Sequence, residues 1–156
     1  MNSLGVRRIF LTLNGTDGTY NLPKPMNTDN SVIALTEISG TITPRLTTGN
    51  LYLCCNIVKW SLGEIGKQNA GGGGSGGGTD LTYLPIISRI NHRKTRNNGT
   101  SLNSTVRSTD QPKALFVECD SERVESINLY LIDETGRRPS VESCELNCTL
   151  TLRNGR

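Results

Sequence analysis

The segment ELNCTLTLR, residues 145–153, decides the fold class, because apolar and polar residues alternate along it from Leu146 to Arg153. Successive side chains of an extended strand point to opposite faces of its sheet. The apolar set is therefore predicted to face the core and the polar set to face solvent. The first set is Leu146, Cys148, Leu150 and Leu152, and the second is Asn147, Thr149, Thr151 and Arg153. This pattern is typical of a half-buried antiparallel strand.

Similar alternation, bounded by Gly, Pro, Asn and Asp, recurs along the chain. It predicts further strands at Val6–Leu13, Val32–Thr43, Leu51–Val58, Tyr83–Ile90, Ala114–Cys119 and Val124–Ile132, with short pieces near Tyr20 and Leu102. The residues predicted to face the core are Ile9, Leu11, Leu13, Leu51, Leu53, Cys55, Ile57, Leu84, Ile86, Ile90, Ile127, Leu129 and Leu131. The turn sequence Asp133–Gly136 directly follows one of these strands and predicts a hairpin.

Helical signals are weak throughout the sequence. No window has the i, i+3, i+4, i+7 apolar spacing of an amphipathic helix over three turns. About eight strands separated by turns are typical of a two-sheet antiparallel sandwich or a barrel, in which each strand buries one face. A chain of 156 residues suits a single core. We therefore predict an all-β fold with one domain over residues 1–156.

The run GGGGSGGG, residues 71–78, has the composition of a flexible coil and resembles an engineered linker in place of a loop. Strand-like segments of similar character lie on both sides of it, and neither half has a sufficient core alone. The run is therefore expected to form a loop within the single domain.

Charge and cysteine content bear on partners and compartment. Lys and Arg outnumber Asp and Glu by 17 to 14, so the net charge of +3 only weakly indicates an anionic partner. The sequence contains neither a secretory apolar run nor the roughly 20 apolar residues of a membrane helix. Five cysteines lie outside any regular framework and favour reduced thiols: Cys54, Cys55, Cys119, Cys144 and Cys148. We expect a soluble chain that is not exported and makes no membrane contact.

Four N-x-Ser/Thr sequons begin at Asn14, Asn98, Asn103 and Asn147. Such triplets are frequent by chance in a chain rich in Asn and Thr, so their presence alone does not indicate glycosylation.

Several segments together resemble the jelly-roll capsid proteins of Maverick/Polinton-type and adinto-like DNA elements. An opening strand is followed by Ala34-Leu-Thr-Glu-Ile38, similar to the family's "gLsEI" strand, and by Leu51-Tyr-Leu-Cys-Cys-Asn-Ile-Val58, similar to "iYiytDiv". Leu84-Pro-Ile-Ile-Ser-Arg89 is similar to "vPLLR". The family's closing hairpin is matched by Ile127-Asn-Leu-Tyr-Leu-Ile-Asp133 with Gly136, and by Thr149-Leu-Thr-Leu-Arg153.

The resemblance implies a jelly-roll sandwich and a structural role in a virus shell. A single domain of this length suits a vertex (penton-like) or minor capsid protein better than a double-jelly-roll major capsid protein. The implied partners are copies of the chain, as a pentamer first and a trimer second, and neighbouring capsid proteins. The implied location is the virion, with synthesis and assembly in the host cytoplasm or nucleus. Cys54, Cys55 and Asn56 depart from the aromatic and acidic residues of the family's "iYiytDiv" strand.

Residues that could carry chemistry are few. His92, the only histidine, lies among cations that depress an imidazolium pKa, and no carboxylate in the run orients it as a base. Cys144 and Cys148 would lie about 13 Å apart along a strand, too far to share one metal ion. No Ser/His/Asp arrangement or phosphate loop is present. We therefore predict no catalytic, cofactor or metal site and no enzymatic activity.

A basic run remains as a candidate contact. Arg89, Arg93, Lys94 and Arg96 could touch nucleic acid weakly or an acidic neighbour, although a solvated loop is the favoured interpretation. Trp60, the only tryptophan, is a candidate subunit contact.

Two other functions stay open on the sequence alone. One is a secreted trimeric β-sandwich of the tumour-necrosis-factor or C1q type that binds a receptor or carbohydrate, which glycosylation or a disulfide would favour. The other is a small β-barrel that binds nucleic acid through residues 89–96. A sandwich hosts many functions, so the fold cannot choose among them.

Overall fold

The structure is a computed structural model that describes residues 6–43, 50–59, 84–97, 101–120 and 123–155. Ten strands make up nearly all of its regular structure, and a single 3-10 turn at Ser108–Asp110 is the only helical element in these ranges. The strands are β1 (Arg7–Asn14), β2 (Asp17–Asn27), β3 (Ser31–Thr43), β4 (Leu51–Cys55), β5 (Ile86–Ile90), β6 (Arg93–Asn97), β7 (Ser101–Arg107), β8 (Val117–Glu118), β9 (Arg123–Asp133) and β10 (Ser143–Asn154). The predicted all-β class is confirmed.

The strand pairings are nested like a long hairpin wound around the core. β1 pairs with β10, β2 with β9, β3 with β7 and β4 with β5, all antiparallel. The strands form one continuous hydrogen-bonded path, in which the Asn14–Asp17 pairing joins two four-stranded sheets of order β1-β10-β3-β7 and β2-β9-β4-β5. This connectivity is the predicted jelly roll. We call the first sheet A and the second sheet B; β6 extends sheet A beyond β7, and β8 pairs with β3.

One apolar cluster lies between the two sheets. It takes alternate residues of β1 and β10 from sheet A and of β4 and β9 from sheet B. Its members include every residue predicted to face the core in those four strands: Ile9, Leu11, Leu13, Leu51, Leu53, Cys55, Ile127, Leu129, Leu131, Leu146, Cys148, Leu150 and Leu152. Burying one such side chain is worth about 1.5–3 kcal/mol, so this alternation is the main source of stability.

The outer face of β10 differs from its prediction. Asn147 and Arg153 are exposed as expected, but Thr149 and Thr151 are only 9% and 8% exposed. A β-bulge at the Thr149/Leu150 step places Thr36 of β3 beside both threonines. The Thr36 hydroxyl donates to the Thr149 carbonyl at 3.1 Å and lies 3.0 Å from the Thr151 hydroxyl. Alternation predicts the face of a side chain correctly, but it does not predict a bulge on the neighbouring strand.

The predicted hairpin between the last two long strands is wrong. β9 pairs with β2 and β4 in sheet B, whereas β10 pairs with β1 and β3 in sheet A. The turn itself does form, since Gly136 has φ +86° and Asp133 accepts hydrogen bonds from the backbone of Thr135 and Arg137. It carries the chain from one sheet to the other, and local turn chemistry cannot distinguish that crossing from a hairpin.

β5 is also shifted from its prediction. Ile90 faces the main core as expected, but Ile87 joins it in place of Ile86. A register shift between β4 and β5 at Leu53/Cys54 adds one residue to β5. The side chains that precede this extra residue therefore point to the face opposite to the predicted one. Ile86 and Leu84 instead belong to a second apolar cluster on the other face of sheet B, with Tyr52, Cys54, Tyr130 and Ile132.

Two further expectations concern the remaining segments. The strand predicted at Ala114–Cys119 is reduced to the two residues of β8. Trp60, Tyr83 and the glycine run at 71–78 lie outside the described residues. Among the helices in the described ranges, none has the length and apolarity needed to cross a membrane.

Candidate interaction surface

The basic run of residues 89–96 forms two strands and a tight corner, and the predicted solvated loop is wrong for residues 93–96. Arg89 lies on β5 in sheet B, opposite Tyr52. Two residues, Asn91 and His92, then carry the chain across to β6 at the edge of sheet A. The structure therefore places Arg89 on a different strand from the other three cations, and these two strands are the ends of the strand path.

The corner is held by side chains that the sequence pattern did not indicate. Gln111 accepts from the Asn91 backbone N–H at 2.8 Å and donates to the Asn91 and Arg107 carbonyls at 2.8 and 2.9 Å. The Asn91 amide donates to the Asp110 carbonyl at 2.8 Å. These bonds tie the corner to the 3-10 turn after β7. Asn91 and Gln111 are far apart in sequence, so no local spacing relates them.

One cation of the run is fixed by an ion pair. The Arg93 guanidinium lies 2.7 Å from the Asp110 carboxylate, whose side chain is only 11% exposed, whereas that of Arg93 is 67% exposed. The pair thus places the first residue of β6 against the 3-10 turn and leaves most of the guanidinium in solvent. The second carboxylate oxygen, Asp110 Oδ2, is buried without a hydrogen-bond partner. Arg93 is therefore the main compensation for this carboxylate.

β6 is a regular edge strand. All five of its residues pair with β7 without a register shift, from Arg93 opposite Thr105 to Asn97 opposite Ser101. Lys94 and Arg96 pair with Ser104 and Leu102. Among the described strands, β6 has a neighbour on one side only. Its other side is therefore a row of backbone donors and acceptors next to three cationic residues.

The five cysteines form no site. All are buried and unpaired. Burial raises the pKa of Cys54, Cys55, Cys119 and Cys148 to about 12 and that of Cys144 to about 11. Thiols with these pKa values are almost fully protonated at neutral pH, so they are poor nucleophiles and poor metal ligands. Within the described ranges, no group of His, Cys, Asp and Glu is arranged to hold a metal ion.

Three of the four sequons lie in described segments. Asn103 is half-buried in the middle of β7 and accepts a hydrogen bond of 2.8 Å from Thr43. Asn147 lies in the middle of β10 between two paired strands and accepts at 2.9 Å from Thr12. Asn14 is exposed at the β1–β2 turn, and Asn98 lies outside the described residues. Only Asn14 among the three has the exposed turn geometry of a glycan acceptor.

A concave surface lies at the start of β3, away from the residues of β3 that pair with β7. It is an open pocket of about 260 Å³ whose lining includes Asn30, Lys59, Glu118 and Cys119. Lys59 and Glu118 form a 3.7 Å ion pair between two exposed side chains. Such a pair contributes little and selects no ligand class.

In comparisons with known proteins, no protein-family model and no curated protein matches this chain.

Proposed function

We propose that the chain is a structural capsid subunit, a vertex (penton-like) jelly roll that assembles with copies of itself and contacts neighbouring shell proteins. The observation that carries the proposal is the nested pairing of β1 with β10, β2 with β9, β3 with β7 and β4 with β5. The same segments carry the sequence resemblance to capsid proteins of Maverick/Polinton-type elements. The fold agrees with the jelly roll that the resemblance implies, and the resemblance is what favours the capsid role over the other functions that this fold hosts.

Exposed apolar side chains at one edge of sheet A support self-association. Val6, which directly precedes β1, and Phe10, within β1, are 63% and 68% exposed. They are spaced so that an extended strand places them on one face. Burying exposed apolar side chains against another subunit is the usual driving force of assembly.

The secreted trimeric alternative receives less support. It is favoured by a disulfide or by glycans, but all five thiols are buried and unpaired, and two of the three described sequons lie inside paired strands. The nucleic-acid alternative rests on the cations of residues 89–96, which the structure divides between β5 and β6 at the two ends of the strand path.

Electron microscopy of the concentrated protein tests the proposal. Closed rings with five-fold symmetry are expected, since a single jelly roll at a vertex must repeat around that axis. Three-fold particles would favour the trimeric alternative. Absence of any closed particle at high concentration would contradict the proposal.

A further inference from the structure

Among the described strands, β6 has no neighbour on one side, and this open side combines two features that select a partner. It is an edge strand without a bulge or a proline, so its backbone groups are arranged for pairing with another strand. It also carries Arg93, Lys94 and Arg96 within five residues. We propose that this edge binds an extended acidic segment of another protein by adding it to sheet A as a further strand.

The edge is prearranged for such binding. The hydrogen bonds of Gln111 to Asn91 and Arg107 fix the corner before β6, and the Arg93–Asp110 ion pair fixes its first residue. Pairing with β7 fixes the rest of its backbone. A strand already held in its bound conformation loses little conformational entropy on binding, which favours affinity.

A second copy of β6 is a poor occupant. Antiparallel pairing of two copies centred on Thr95 would place Lys94 opposite Arg96 of the other copy. Like charges directly opposite each other in a sheet are destabilising. The other open edge of sheet A is no better, because β1 begins with Arg7 and Arg8, both exposed. The cations therefore prevent pairing between copies and favour an acidic strand.

A polypeptide fits the edge better than nucleic acid. The open side of a strand presents alternating N–H donors and C=O acceptors. An added peptide strand satisfies both kinds of group, whereas phosphate oxygens accept only and leave the carbonyl groups unsatisfied. β6 also contains no aromatic residue on which bases could stack. If the proposed function holds, the acidic segment belongs to a neighbouring shell protein. Only this identification of the partner rests on the proposed function.

Three probes of equal negative charge distinguish the modes of binding. The first is a peptide that alternates Glu with Thr, the second replaces every Thr by Pro, and the third is single-stranded oligothymidylate. We expect the Glu-Thr peptide to bind at least about tenfold more tightly than the Glu-Pro peptide, because proline removes every second backbone N–H and holds φ at about −65°, which disfavours the extended conformation of a paired strand. Hydrogen exchange should slow at alternate amides of residues 93–97 when the Glu-Thr peptide is bound.

Two double variants test the role of charge. Lys94→Gln with Arg96→Gln leaves the Arg93–Asp110 pair intact and should weaken binding of the Glu-Thr peptide about tenfold. The control, Lys24→Gln with Arg123→Gln, removes the same charge from exposed positions on sheet B and should change binding less than about twofold.

Several outcomes would overturn the inference. These are equal binding of the two peptides, tighter binding of oligothymidylate, unchanged exchange in β6, or no binding of the Glu-Thr peptide. The oligomeric mass, measured on the same sample, separates this result from the proposed function. A pentamer that does not bind the Glu-Thr peptide refutes only the acidic-strand inference. A strict monomer that binds this peptide refutes only the assembly proposal.

Discussion

Gly40 shows how closely two central strands of sheet A approach each other. It lies on β3 opposite Leu146 of β10 and has φ +151°. A Cβ atom built at this position would overlap the backbone carbonyl of Glu145. Both the backbone angle and the lack of space therefore require glycine here.

Substitution of Gly40 by alanine should be strongly destabilising. We expect Gly40→Ala to lower the free energy of unfolding by more than about 2 kcal/mol, because strain and a backbone overlap act together. Gly15→Ala is the matched control: Gly15 also has positive φ, +80°, but an added Cβ has no heavy atom within 4 Å. It should lose about 1 kcal/mol. Urea unfolding measures the loss of stability in both variants. Equal losses would contradict the close approach of β3 and β10 at Gly40.

The buried thiols make stability depend on alkaline pH. Their ordinary pKa of 9.0 applies to the unfolded chain, and burial raises the folded pKa to about 11 for Cys144 and to about 12 for the other four. The folded state therefore holds these protons more tightly. This contribution is fully present below pH 9 and is lost as the pH rises toward the folded values.

We accordingly expect the free energy of unfolding to fall between pH 9 and pH 11, by up to about 1.4 kcal/mol per pH unit for each thiol. Urea unfolding at several pH values measures it. Cys148→Ala removes one of the five buried thiols and should therefore reduce the slope. A slope identical to that of the parent protein would contradict the buried-thiol account.

At the scale of elements, local patterns predict strands better than they predict pairing. The period-two alternation of β1, β4, β9 and β10 identifies their core residues, because each strand buries one face continuously. The bulges at Thr36 and near Ile87 were not predictable, since an extra residue in one strand depends on the strand that it pairs with. The hairpin predicted after β9 was incorrect for the same reason, because local sequence does not show which strands pair.

β6 is a strand that the sequence pattern did not predict. Residues 93–97 contain three cations and no apolar residue, so neither alternation nor β-propensity indicates a strand. The strand forms because the backbone pairs with β7 and because distant residues hold the corner. Composition singled out the basic run as a candidate contact, and its division between β5 and β6 was not predictable from spacing.

The corner can be tested by removing Gln111. Gln111→Ala loses the three hydrogen bonds to Asn91 and Arg107, and the expected loss of stability is about 1–3 kcal/mol. Hydrogen exchange at residues 93–97 should accelerate more than exchange in β10. Lys113→Ala, an exposed position in the same connection, serves as the control and should change stability by less than about 0.5 kcal/mol. Unaltered exchange in β6 would show that the corner does not hold it.

At the scale of the whole molecule, β1 and β6 are the outer strands of sheet A among the described residues. β1 pairs with β10 along its length but with β2 only at Asn14, and β6 pairs only with β7 among the described strands. Both strands carry cations, so pairing one edge with the other would bring like charges together, which disfavours closing a ring in this way. In the proposed assembly, the exposed apolar side chains at Val6 and Phe10 are therefore better contacts between copies than the strand edges are.

The mass of the purified protein in solution, measured by light scattering over a concentration series, tests the assembly proposal most directly. A vertex subunit should give a stable species of five times the chain mass of 17.0 kDa, unchanged on dilution. A species that keeps the mass of one chain at the highest attainable concentration would contradict the proposal, however closely its strands follow the jelly-roll order.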